Sequence, residues 1–166
     1  STVEQALVKL GLNAVQNILV TVLIIDQLPW SPEQRAALPD LFTQLALTNY
    51  GFAQLYRHLH HRPLPEDLSA VGLLYQIGRV VLLSHRWDHY QAAREHQRAH
   101  PDQLFTDCEV AAGYAGQTSA DLSSYLLAWW NFPPDLVRLA RHYRSSDQLT
   151  EPYQTVAEIL VYVERL

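Results

Sequence analysis

The segment Gly72-Leu-Leu-Tyr-Gln-Ile-Gly-Arg-Val-Val-Leu82 constrains the fold more than any other stretch of the chain. It is apolar on most sides, so as a helix it has to run through the middle of a bundle. Its two mid-segment polar residues, Tyr75 and Gln76, are then forced inward or against a neighbouring element, where their polar atoms need partners. What those two side chains do decides what the core does.

The remaining helix signals are local. Thr2-Val-Glu-Gln5 has the form of a capping box, and the helix it opens carries Val3, Leu7 and Leu10 before Gly11 stops it. From Leu12 a second helix carries Val15, Ile18, Leu19, Val22, Leu23 and Ile25, apolar over more than half its circumference and therefore expected to be buried. Pro29-Trp-Ser-Pro32 is a break, with Ser31 as N-cap and Pro32 at the first helical position. A short helix is expected to end at Pro39, after which Asp40 caps a long one through His60. Its core-facing stripe is Leu41, Leu45, Thr48, Phe52, Leu55 and Leu59.

Pro63 and Pro65 bound a turn, Pro65-Glu-Asp67 opens the central helix, and Arg79 to Ser84 closes it. Trp87 to Ala99 reads as a polar helix ended by Pro101, and Asp102 to Gly116 as the next. Thr118 or Ser119 caps a helix reaching Trp130. Asn131-Phe-Pro-Pro134 is a sharp turn, Asp135 to Tyr143 a short helix, Ser145-Ser-Asp147 a loop, and Pro152 starts a last helix to Leu166. No alternating run bounded by turn dipeptides reads as a strand, so the class is all-α.

At 166 residues the chain is one domain by length, long enough to bury about two thirds of its unfolded surface. The longest hydrophobic run, Ile18 to Ile25, is far short of the ~20 residues a bilayer needs, which argues against a membrane span. Net charge is −5 and the 12 Lys and Arg are scattered, so nucleic acid is not an expected partner. A single cysteine, Cys108, excludes an internal disulfide, and with no signal peptide in view a reducing cytoplasm is expected. The chain has no methionine, not even a first one, so Ser1 is expected to be a cut or processed end.

Gly72 to Arg79 carries a resemblance to the HDOD domain, a bacterial signalling relative of the HD metal-dependent phosphohydrolases. In that superfamily the segment reads Gly-Leu-Leu-His-Asp-Ile-Gly-Lys, and its His-Asp pair binds metal. The similarity runs from Thr2 to Leu166, through the opening helix, the Leu10-Gly11 junction that follows it, Tyr125-Leu-Leu-Ala-Trp-Trp130 and the Asn131-Phe-Pro133 turn. It implies an HD-domain-like helical bundle, a single domain over residues 1–166 that lacks the family's N-terminal helical subregion.

HD enzymes hold one or two divalent metals between His and Asp side chains, so that a bound water becomes a nucleophile toward a phosphate ester. Carried over position by position, the first histidine falls on Thr48, the His-Asp pair on Tyr75 and Gln76, and a later histidine on Ser119. The His-His pair falls on His142 and Tyr143, and the final acidic residue on Glu164. Only His142 and Glu164 could still ligate, and a catalytic site normally has three or more protein ligands. The resemblance therefore implies no catalytic, cofactor-binding or metal residues, with Tyr75 and Tyr143 filling the vacated volume. The plain reading is a set of core residues with satisfied polar tips, His142 being buried and hydrogen-bonded to a tyrosine or to Glu164. A surviving ligand pocket is the alternative.

His85, His89, His96 and His100 fall within about 60° of one helical face if the helix is continuous, and imidazoles at i, i+4 can chelate zinc. The interleaved Arg86, Asp88, Arg94, Glu95 and Arg98 favour a solvated, pH-responsive face instead. His58-Leu-His-His61 suits a helix C-terminus, and Cys108 a small buried hydrophobe. Trp129-Trp130 reads as a packing knot, although one exposed tryptophan would make an interaction anchor.

The expectation is a non-catalytic signalling module of a bacterial pathway, without cofactor, acting through protein partners, a second copy of itself among them. The alternatives are a degenerate phosphohydrolase rebuilt around His142 and Glu164, or a nucleotide-sensing pocket in the old metal cavity.

Overall fold

A computed structural model describes residues 30–65 and 68–166, and every described element is helical. The two helices expected over Thr2 to Ile25 lie outside the described residues, as do Glu66 and Asp67. The elements are α1 (Pro32–His60), α2 (Val71–Leu74), α3 (Gly78–His85), α4 (Trp87–Ala99), α5 (Phe105–Ala111), α6 (Ser119–Trp129), α7 (Pro134–His142) and α8 (Tyr153–Glu164). A 3₁₀ turn at Ser146–Gln148 stands where a loop was expected.

α1 begins as the sequence indicates: Ser31 accepts from the Gln34 amide, and the Gln34 side chain accepts from the Ser31 amide. It does not stop at Pro39, which sits inside one continuous helix. An interior proline costs about 3 kcal/mol, so tertiary contacts have to hold the helix together. The buried Gln34 donates to Ser84 O at 2.9 Å, and Leu41 and Leu45 are fully buried, which fixes both sides of the proline. The core stripe also differs at its end. Tyr56 is buried, while Leu59 is 54% exposed.

The central segment is not one helix. It breaks over Tyr75 to Ile77 into α2 and α3. The Gly78 amide, which a continuous helix would direct to Leu74 O, donates instead to Ser123 Oγ at 2.8 Å. A Cβ on Gly78 would lie 2.1 Å from Ser119 O, and one on Gly72 would lie 2.5 Å from Asn49 Cα. The two glycines thus press this segment onto α6 at one end and α1 at the other. Gly72 N also donates to Asn49 Oδ1 at 3.0 Å.

The break divides the core. Tyr75 and Leu74 join Phe52, Leu139, Tyr143, Val156 and Leu160 in one cluster, while Ile77, Val80 and Leu83 join Leu41, Leu45, Tyr90, Phe105 and Cys108 in the other. Trp130 packs against both, which makes it the knot expected of the tryptophan pair, whereas Trp129 is 70% exposed. α6 lies between α3 and α7, α4 covers α5, and α8 returns against α1. Thr118 caps α6 through a capping box with Asp121.

Candidate functional site

Both cores meet at a buried polar cluster built on the break. Glu164, at the end of α8, accepts from the Phe105 amide at 3.0 Å through Oε1 and from Tyr75 OH at 2.9 Å through Oε2. Arg79, on the first turn of α3, forms an ion pair with the same carboxylate, and both side chains are only 4% exposed. The Arg79 guanidinium lies 4.3 Å over the Phe105 ring, a second favourable contact for a buried cation. Gln76 Nε2 donates to Tyr75 OH, while Gln76 Oε1 is buried without a partner.

Tyr143, from the residue that ends α7, closes the cluster. Its ring meets the Tyr75 ring edge-on with centroids 4.8 Å apart, and its hydroxyl lies 2.9 Å from Thr106 Oγ1. Burial pushes both phenols well above their ordinary range, with the nearby Glu164 charge adding to it, so both are neutral. This donor set does not suit a divalent cation: the one carboxylate faces a fixed guanidinium, and its remaining contacts are a neutral phenol and an amide.

The sequence-derived positions are only partly brought together. Tyr75, Gln76, Tyr143 and Glu164 converge, and Thr48 lines a cleft of about 450 Å³ with Arg79 and Glu164. Ser119 belongs to a neighbouring buried cluster, where its amide and hydroxyl donate to Glu109. His142 is half-buried and lines a different cleft, with Arg86 and Arg141. Among the described residues it bonds neither a tyrosine nor Glu164, which lines the other cleft. A centre built on His142 and Glu164 together is thus split between two clefts.

The histidine stripe is corrected as well. The chain turns at Arg86 (φ −134°, ψ 56°), so His85 and His89 are on different helices. His89 is 2% exposed rather than solvated, because α4 packs that edge on α5. Its ring stacks on Tyr114 at 3.8 Å, and Nε2 approaches Glu109 Oε1 to 2.9 Å without the alignment of a hydrogen bond. Burial pushes Glu109 up to about 7, opposed by the Ser119 hydrogen bonds, and pushes His89 down, with Arg86 adding to it. Burial thus favours the neutral form of both groups, and Glu109 gives up its proton only near neutral pH. Among the described residues no three His, Cys, Asp or Glu side chains gather as a metal site.

Arg79 and Glu109 are the functional-looking residues that pattern reading passed over. The signal for Arg79 was present: a lone charge inside Ile77-Gly-Arg-Val-Val-Leu-Leu83, at the place of the lysine that follows the superfamily's His-Asp-Ile-Gly.

Comparison with protein families finds the HDOD domain matching residues 1–146. Neither the curated proteins nor the solved structures gave a match.

Proposed function

Because this chain belongs to the HDOD domain family, we propose that it is a non-catalytic regulatory module of a bacterial signalling pathway, acting through protein contacts on its outer surface. The observation that carries this reading is the state of Glu164. The one acidic side chain at a superfamily ligand position is taken up by Arg79, Tyr75 and the Phe105 amide, all buried. A buried ion pair held by further hydrogen bonds is a fixed structural element, and removing it to admit a metal would leave Arg79 uncompensated.

The outer face of α6 supports the second half of the reading. Tyr125 and Trp129 stand one turn apart and are 69% and 70% exposed, forming an aromatic pair of the kind that anchors protein interfaces. The test is complementation of a deletion strain. Trp129→Glu combined with Tyr125→Glu is expected to abolish the regulated phenotype while the purified variant stays folded, and Gln76→Leu inside the cluster is expected to leave the phenotype intact. Full complementation by the α6 variant, or metal-dependent turnover of phosphoesters lost on Glu164→Gln, would overturn the proposal.

A further inference from the structure

We infer that the cleft between α3, α6 and α7 binds a small organic phosphate of the nucleoside monophosphate class. This goes beyond a surface that contacts proteins, and the cleft is separate from the Tyr75 and Glu164 cluster. Its volume, about 700 Å³, is that of a small-molecule site and far exceeds what an inorganic anion needs.

Its charge is unlike that of the chain as a whole. In a protein of net charge −5, Arg86, Arg138 and Arg141 line this one cleft together with His142, against the single carboxylate of Asp121. Its Oδ2 accepts from the Thr118 amide and hydroxyl, while its Oδ1 stands 3.9 Å from Arg141, an ion pair inside the cleft that takes up part of that arginine's charge. Arg138 pairs with Asp135, but Arg86 has only a loose 3.5 Å contact to Gln117 Oε1. Guanidinium groups match phosphate oxygens in a planar, two-point geometry, so this arrangement selects a phosphate over a plain anion.

A second feature is independent of the arginines. His89 lines the same cleft while being 2% exposed, and its Nδ1 has no partner. A buried imidazole nitrogen left unpaired costs free energy that a ligand atom can recover. Leu122, Val137 and the Tyr125 ring line the same cleft and offer an apolar and aromatic surface for a planar base.

The test is calorimetric titration of the chain with adenosine and guanosine 5′-monophosphate, adenosine and inorganic phosphate. Saturable binding of a nucleotide is expected, with adenosine and phosphate each weaker by about tenfold or more. Arg86→Ala and Arg141→Ala, both at exposed positions, are each expected to weaken nucleotide binding about tenfold with an unchanged circular dichroism spectrum. The His89 ring nitrogen resonances should shift on binding. No saturable binding of either nucleotide, binding indifferent to both substitutions, or phosphate binding as tightly as the nucleotides would overturn the inference.

Discussion

The Glu164 carboxylate and the Arg79 guanidinium form an ion pair in the interior, 85 residues apart in sequence, with both side chains 4% exposed. Two desolvated charges are tolerable only because the remaining valences are filled, by Tyr75 OH and the Phe105 amide on one partner and the Phe105 ring face on the other.

Breaking that pair from one side strands a buried charge. Glu164→Gln is expected to destabilise the fold by about 3–5 kcal/mol in urea unfolding. The double variant Arg79→Met, Glu164→Leu should recover part of the loss, since an apolar pair of similar volume strands no charge, although it leaves the Phe105 amide and the Tyr75 hydroxyl without their acceptor. A double variant no more stable than Glu164→Gln would show that the charges are not what holds this region.

Glu109 gives the protein a pH dependence of known sign. Its folded value of about 7 lies above its ordinary 4.5, so the folded state holds the proton more tightly and stability falls as pH rises from 4.5 to 7. Glu109→Gln should remove that fall and leave the variant more stable than the parent above pH 7, by roughly 2–3 kcal/mol. His89, depressed below its ordinary 6.5, costs stability as pH falls below that point, and this acid limb should survive in the variant. Denaturation midpoints between pH 5 and pH 8 measure both.

Gly78 and Gly113 should respond very differently to a methyl group. Gly78→Ala puts Cβ 2.1 Å from Ser119 O and 2.8 Å from Ser123 N, backbone atoms that cannot step aside, so a loss above about 3 kcal/mol is expected. Gly113→Ala meets nothing within 4 Å and carries only the strain of its φ of +94°, about 1–2 kcal/mol. Thermal unfolding of the two variants compares them directly.

Pro39 is the simplest site for a gain. Its ring removes one helical hydrogen bond from α1 while the helix runs on regardless, so Pro39→Ala is expected to stabilise by about 1–2 kcal/mol after the added freedom of the unfolded chain is counted. A lowered midpoint in urea would mean that the proline itself is required at this place in α1.

What was legible in the sequence was local. The Ser31 and Thr118 caps, the Trp87–Ala99 helix and the sharp turn from Asn131 to Pro134 depend on residues within a few positions of one another. The break at Tyr75 was not legible, because it depends on Ser123 taking the Gly78 amide from 45 residues away. The continuity of α1 through Pro39 depends on Gln34 reaching Ser84, and the burial of His89 on α5 covering one edge of a helix that reads as polar all round. In the candidate site, the family resemblance singled out Tyr75, Gln76, Tyr143 and Glu164, and their side chains meet through Tyr75, which donates to Glu164, accepts from Gln76 and packs edge-on against Tyr143. The position of His142 in the other cleft was not visible, since it depends on the packing of α7 against α6.

The most direct measurement is the metal content of the chain purified from manganese-supplemented medium, read by elemental analysis after dialysis against a weak chelator. With Glu164 held by Arg79, substoichiometric metal is expected, below about a tenth of an equivalent, unchanged by Glu164→Gln. Manganese, iron or zinc at about one equivalent, lost on Glu164→Gln, would contradict the account.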